Sequence, residues 1–385
     1  MIKVVEAFSG IGAQKQALEK AKIKHKILNT IEWDINAIYA YDIMHNKNLS
    51  PSNLSKEEII EKLRNVTLSS DGKKPISYKG LRQLNEKKLQ FLYAAIQRNR
   101  NLCDITKVTG DMIPDDTDLL TYSFPCQDLS ISSVWHNKNN GGIKKGSNSR
   151  SSLLWEIGRI LYEKKISGAE LPKFLLMENV NSITSSKHIA NFEEWKEELR
   201  KMGYSNKVYY ALNAVDFGIP QSRSRTFMLS IRVEGLEEED FCNFEKQPLA
   251  ELKDFLRLDL IEEANSATPN QTKSRLQIKA DNRWLAEDGI VCAKCTNTIS
   301  TKQDRNPNAG VIIQANKMRY LTPRETFLLM GFPEEKFEKL KSHNLKTKYL
   351  RDSHLYRMSG NSIVVNVLVK IFEEIERLKG IYFHE

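Results

Sequence analysis

Four groups of residues in this chain are of types that could do chemistry together. Cys126 stands in the run Ser123-Phe124-Pro125-Cys126-Gln127, just after the apolar stretch Leu119–Phe124. A thiolate is a soft nucleophile suited to an electron-poor carbon. Glu178 and Asn179 follow the apolar stretch Phe174–Met177. A carboxyl there could donate or accept a proton if its surroundings raise its pKa. Gln221, Arg223 and Arg225 form a Q-x-R-x-R pattern before another apolar run, Phe227–Ile231. Strand alternation would place all three on one face, and two guanidiniums together suit a phosphate or a polarised carbonyl. The fourth group is Phe8-Ser9-Gly10-Ile11-Gly12, a glycine turn between an apolar run and a helical pattern, with Glu32 and Trp33 about twenty residues on. Such a turn lets backbone approach a ligand, and a carboxylate at that distance can accept from ribose hydroxyls. Each group also has a plainer reading: an inert buried cysteine, a surface carboxylate, a solvated basic edge or a bare tight turn.

The elements that must carry these residues follow from periodicity. Ile2–Phe8 and 27–32 read as strands, with helices at 13–21 and 35–45. The alternation resumes with strands at 119–124 and 174–178 and helices at 153–162 and 192–202, and strands near 208–212 and 227–231 follow. That order predicts an α/β fold with a mostly parallel sheet of the doubly wound type. Every group above would then lie at a strand end, where such sheets place their sites. Residues 46–116 are polar with short helical patches, such as 87–97, and read as an insertion on the scaffold. Beyond Val233 the βα alternation stops, which places a second, smaller domain at about 233–315. Helices return at 323–330 and 363–378 in a C-terminal segment, 316–385.

The chain has 385 residues, a net charge of +9 and a pI of about 9.1, a balance that favours a polyanionic partner. The stretch from Leu129 to Trp155 carries Lys138, Lys144, Lys145 and Arg150, three glycines and no carboxylate. It could close over a nucleic acid or be only a surface loop. Five cysteines do not form a disulfide framework. Cys292-x-x-Cys295 is half of a zinc pattern without its other half, so no metal is expected. The expected setting is cytoplasmic, with no membrane association.

At Pro125-Cys126-Gln127 and Glu178-Asn179-Val180 the sequence resembles the cytosine-5 DNA methyltransferases of bacterial restriction–modification systems. The resemblance spans almost the whole chain, with the motifs in the family's order. Phe8, Gly10, Ile11 and Gly12 are similar to its first cofactor motif, Glu32-Trp33 to its second, and Asp104-Ile105 to the residues that meet the adenine. Leu153–Glu156 with Arg159 is similar to the helix behind the site. Asn297–Thr301, including Thr298, resembles the end of a target recognition domain. Arg319–Glu325 with Gly331-Phe332-Pro333 resembles the ninth motif, and Gly360-Asn361-Ser362 the tenth, which returns to the cofactor pocket. The recognition region itself differs between specificities, so the target sequence is not implied.

The resemblance implies a Rossmann-like fold, S-adenosylmethionine as cofactor, double-stranded DNA as substrate and a monomer. It further implies that Cys126 attacks C6 of a flipped cytosine. Glu178 would engage N3 and N4, Asn179 would orient Glu178, and Arg223 would hold O2. Pro125, Asn361 and Ser362 would join the cofactor pocket. Ser130, Lys144, Lys145, Arg150 and Thr298 would meet the DNA, and a cognate restriction endonuclease would act separately. Three other readings remain: a cytosine-5 methyltransferase of this fold acting on tRNA, a non-catalytic DNA-binding relative, and a Rossmann oxidoreductase. The sizeable segment at 233–315 favours DNA over tRNA, and the missing third glycine of the dinucleotide turn disfavours nicotinamide.

Overall fold

The computed structural model describes residues 1–125 and 153–383. Its centre is a six-stranded sheet made from β1 (Ile2–Ala7), β2 (His25–Ile31), β3 (Leu119–Tyr122), β4 (Phe174–Asn179), β5 (Ser205–Asn213) and β6 (Ser224–Ile231). The spatial order is β2-β1-β3-β4-β6-β5. β1 runs parallel to β2 and to β3, and β3 parallel to β4. β6 is antiparallel to β4 and to β5. The winding direction therefore changes between β1 and β3, and a crevice opens at the carboxyl ends of these two strands. Phe8–Gly12 and Ser123–Pro125 leave from those ends.

The strands are apolar on both faces because both are covered. Val4, Leu119, Phe174, Leu176 and Leu229 face one core; Val5, Leu120, Leu175, Met177 and Met228 face the other. Helix α1 (Ala13–Lys20) presents Ala17 and Leu18 to the first core. Helix α2 (Ile35–His45) starts at Asp34, whose carboxylate accepts from Asn36 N at 3.0 Å.

The insertion is a helical lobe. Helices α3 (Lys56–Lys62), α4 (Tyr78–Gln83) and α5 (Glu86–Arg98) bury Ile59, Ile60, Leu81, Leu89 and Leu92 against Ile35 and Ile38 of α2. Ser55 and Glu58 close a reciprocal cap at the start of α3. Helices α6 (Leu154–Ile166) and α7 (Ile189–Lys201) cover the second core.

A second, four-stranded sheet follows. Phe241, Leu252 and Leu256 are buried in the same core as Val4 and Leu119, and Leu285, Ala286 and Ile312 of the second sheet join it. The chain first forms α8 (Ile261–Ser266) and α9 (Lys273–Asp281). It continues through β7 (Trp284–Glu287), β8 (Ile290–Val291), β9 (Val311–Gln314) and β10 (Lys317–Arg319), ordered β10-β9-β7-β8. Isolated apolar residues in a polar stretch gain more by joining a large core than by building a small one. The hairpin between β9 and β10 carries positive φ at Ala315 and Asn316, the mirror-image turn that matches strand twist.

The chain then returns through α10 (Pro323–Leu328), α11 (Glu334–Thr347), α12 (Asp352–Asn361) and α13 (Val365–Tyr382). Thr322 caps α10 with Pro323 in its first turn, and α13 packs on α1. None of the described helices is long and apolar enough to cross a membrane.

Candidate active site

The crevice at the switch point is a cavity of about 180 Å³, more than ten times the room one water needs. At one end the backbone from Phe8 to Gly12 curls through positive φ at Phe8 (57°), Gly10 (53°) and Gly12 (78°). A left-handed phenylalanine is unusual, and such strain gathers at ligand sites. Glu32 faces this loop: Gly10 N donates to its Oε2 at 3.0 Å and Asp34 N to its Oε1 at 2.8 Å. Burial, with Asp34 beside it, pushes the Glu32 carboxyl up to about 7. Phe8, Ser9, Gly10, Ile11 and Glu32 line this end.

At the other end stand Ser123–Pro125, Glu178, Asn179 and Arg225. Glu178 projects from the end of β4, and its Oε1 lies 3.3 Å from Arg225 Nε. Burial pushes its carboxyl above the ordinary range, against the opposing pull of Arg225 and Arg223. Asn179 does not bond Glu178. Its Nδ2 donates to the Phe124 carbonyl at 3.1 Å and its Oδ1 accepts from Val180 N at 2.8 Å, tying β4 to the chain that enters Pro125.

Gln221 and Arg223 hold other segments in place. Gln221 Nε2 donates to the Leu329 carbonyl and its Oε1 accepts from Ile299 N. Arg223 donates to the carbonyls of Ile299, Gly360 and Ser362 at 3.0, 3.0 and 2.8 Å. Arg223 was expected to hold a base carbonyl; these three bonds occupy two of its nitrogens, and Arg225 is the guanidinium against Glu178. The two arginines differ because Arg223 precedes β6, where the chain bends toward the segment from Thr296 to Thr301, whereas Arg225 lies within it.

The same junction constrains Gly360. A Cβ there would lie 2.5 Å from Ser300 C and from Thr301 N, both backbone. Gly360→Ala is therefore expected to cost about 1–3 kcal/mol of stability through overpacking. It should also weaken binding of labelled duplex DNA in fluorescence anisotropy, because the segment at Ser300–Thr301 is pushed off the helix that carries Gly360. Unchanged melting and unchanged anisotropy would show that the close approach is dispensable.

Comparison with known proteins agrees with this geometry. The profile of the C-5 cytosine-specific DNA methylase family matches residues 80–377. This chain belongs to that family. The Type II methyltransferase M2.ScrFI of Lactococcus lactis subsp. cremoris is 33% identical to it, over 97% of this chain and 99% of the relative. The orphan methyltransferase M.SssI of Spiroplasma monobiae is 34% identical, over 97% of each. In fold, the chain is similar to the crystal structure of S. pombe Dnmt2 methyltransferase, with a TM-score of 0.65 at 20% identity, covering 98% of this chain and 99% of that one.

The protein is thus a DNA cytosine-5 methyltransferase with the S-adenosylmethionine-dependent fold, and S-adenosylmethionine is its methyl donor. Of the residues singled out in the sequence, Phe8, Gly10, Ile11, Glu32, Pro125, Glu178, Asn179, Arg223, Arg225, Asn361 and Ser362 meet in one cavity. Trp33, Asp104 and Ile105 do not line it: Ile105 is buried in the second core, and Asp104 caps a short turn by accepting from Thr106 N. Gly12 opens α1, and its N–H donates to the Ser9 carbonyl. Thr298 donates to the Ser222 carbonyl, which fastens the segment from Thr296 to Thr301 beside the Q-x-R-x-R run. Cys126, Ser130, Lys144, Lys145 and Arg150 lie outside the described residues. Sequence reasoning missed Gln14, Asp34, Gly72, Arg357 and Met358, which also line the cavity. Asp34, next to Glu32-Trp33, was within reach of the pattern; Gly72 and Arg357 come from distant segments and had no sequence signal.

Proposed function

We propose that this methyltransferase acts on a cytosine flipped out of a specific duplex sequence, through a transient bond between Cys126 and C6. The observation that carries the reading is Glu178, a buried carboxyl with a raised pKa at the carboxyl end of β4, beside Arg225 and across from Pro125. A carboxyl kept neutral can donate to N3 of the base and accept from the N4 amino group, and withdrawal of charge at N3 makes C6 electrophilic. The Cys126 thiolate then adds to C6, and the electron pair moves to C5. Arg225 holds O2 and stabilises charge on the ring.

The cofactor residues fit the donor. Glu32 would accept from the ribose hydroxyls, and the loop Phe8–Ile11 would lie against the rest of the molecule. When bound, S-adenosylmethionine supplies a methyl group already activated on a sulfonium. After C5 is methylated, a base acting through water removes the C5 proton, and the returning electron pair expels Cys126 as thiolate. Asn179 and Gln221 act as positioning residues, Asn179 on the chain leading into Cys126.

The sheet built from residues 284–319, with the helices before it, would read the target sequence. Thr298, Ser130, Lys144, Lys145 and Arg150 are the proposed DNA contacts. Action as a monomer in the cytoplasm, opposite a cognate restriction endonuclease, completes this reading.

The test is methyl transfer from labelled S-adenosylmethionine to unmethylated DNA and to tRNA, with Cys126→Ser in parallel. Label on DNA that disappears in Cys126→Ser is expected, and sequencing the product would give the target. Label on tRNA alone would overturn the substrate, and label on neither would overturn the activity.

A further inference from the structure

The insertion has a turn that reaches the cofactor end of the cavity. Gly72 lines the cavity together with Asp34 and Arg357, so three segments distant in sequence form one wall. The wall is built, not incidental. Ser69 pairs with Asp34; Ser69 N donates to the Trp33 carbonyl at 2.7 Å, and Ile35 N to the Ser69 carbonyl at 2.9 Å. Asn36 Nδ2 donates to the Ser70 carbonyl at 3.0 Å.

The turn itself is organised by Asp71, whose Oδ1 accepts from Lys73 N, Lys74 N and Ser69 Oγ at 2.9, 3.1 and 3.1 Å. Hydrogen bonds to the charged form hold the Asp71 carboxyl below its ordinary value, against a desolvation that raises it. On the far side Arg357 NH2 donates to Asp34 Oδ2 at 2.5 Å. The turn is thus stitched to the residues immediately after Glu32, while the ion pair joins them to the helix that ends at Gly360–Asn361.

From this we propose that the turn Ser69–Lys74 of the insertion is a wall of the S-adenosylmethionine pocket, and that Asp71 is a positioning residue for cofactor affinity. The inference rests on the cofactor reading of this cavity given above. It gives the helical lobe a role: the lobe's core fixes the turn, and the turn fixes Trp33–Asn36 and hence the rim at Glu32. Asp71 itself touches no substrate. Its loss should act through the turn, on cofactor binding and not on the chemical step.

The experiment uses the full chain and S-adenosylhomocysteine as probe, titrated by calorimetry. Asp71→Ala removes the acceptor; Asp71→Asn keeps an amide oxygen that can still accept from Lys73 N and Lys74 N. Asp71→Ala should weaken S-adenosylhomocysteine binding about five- to tenfold, the scale of one or two lost hydrogen bonds. Labelled-duplex affinity and kcat at saturating S-adenosylmethionine should stay within about twofold, and Asp71→Asn should recover most of the cofactor affinity. Unaltered cofactor affinity in a folded Asp71→Ala would overturn the proposal. So would an equal loss of DNA affinity, or a fall in kcat with KM unchanged. The binding readout needs no turnover, so a wild-type chain that binds the probe but methylates nothing would sink the activity and leave this proposal standing.

Discussion

Glu178→Gln is expected to slow methyl transfer by about 10²–10⁴-fold, the usual yield of a positioned general acid. The amide can hydrogen-bond but cannot share its proton with the base as a neutral carboxyl does. The raised pKa of Glu178 sets the sign of the pH dependence. Burial favours the neutral form, so the competent state persists above the ordinary 4.5 and declines as pH rises through the shifted pKa. The single-turnover rate of the wild-type enzyme should therefore fall on the alkaline side, and the residual rate of Glu178→Gln should lack that limb. The same shift has a stability counterpart: the contribution of the neutral carboxyl is fully present below the unfolded value and lost as pH rises through the folded one. A Glu178→Gln enzyme within threefold of wild type, or one with the alkaline limb intact, would remove Glu178 from the chemistry. Cofactor binding by calorimetry provides the control that the variant is folded.

Replacing Glu325 by alanine should produce the largest loss of stability, about 3–5 kcal/mol, read as the shift of a urea midpoint. Arg319 and Glu325 are both buried and form two parallel bonds of 2.9 Å. Glu325 also accepts from Arg257 N and Thr322 N at 2.8 Å each. One carboxylate therefore fastens the end of the second sheet, the start of α10 and the strap before α8. Its removal leaves a guanidinium desolvated without its counter-charge. The cost lies in that orphaned charge more than in the pair itself, so Arg319→Met combined with Glu325→Leu should recover a substantial part of the loss. A double variant as unstable as Glu325→Ala would point instead to the two backbone donors as the main contributors.

The residues of the site and of the core differ in how far they are legible in the sequence. Glu178 was readable because it follows an apolar run and a parallel strand must deliver its terminal residue to the crevice. Glu32 was readable for the same reason, by its distance from the glycine turn. Local pattern carries no record of which core Phe241, Leu252 and Leu256 join, because that is settled by packing between distant segments. The β9–β10 hairpin carried no Asn-Gly signal; Ala315 and Asn316 adopt positive φ because the flanking strands are already paired. The insertion had helical patches in sequence, but its contribution to the cavity rests on Gly72, which only the pairing of Ser69 with Asp34 brings there.

The amino-acid sequence alone determined the βα order, the strand ends that bear Glu32, Glu178 and Arg225, and the residue types from which the chemistry follows, because strand period and glycine turns act over a few residues. Tertiary structure decided which arginine meets Glu178 and which holds Gly360 and Ser362, which core Phe241, Leu252 and Leu256 join, and that Gly72 of the insertion reaches the cavity. Each of these depends on hydrogen bonds or burial between segments far apart in the chain, and such partners are chosen by the folded geometry of both sides at once.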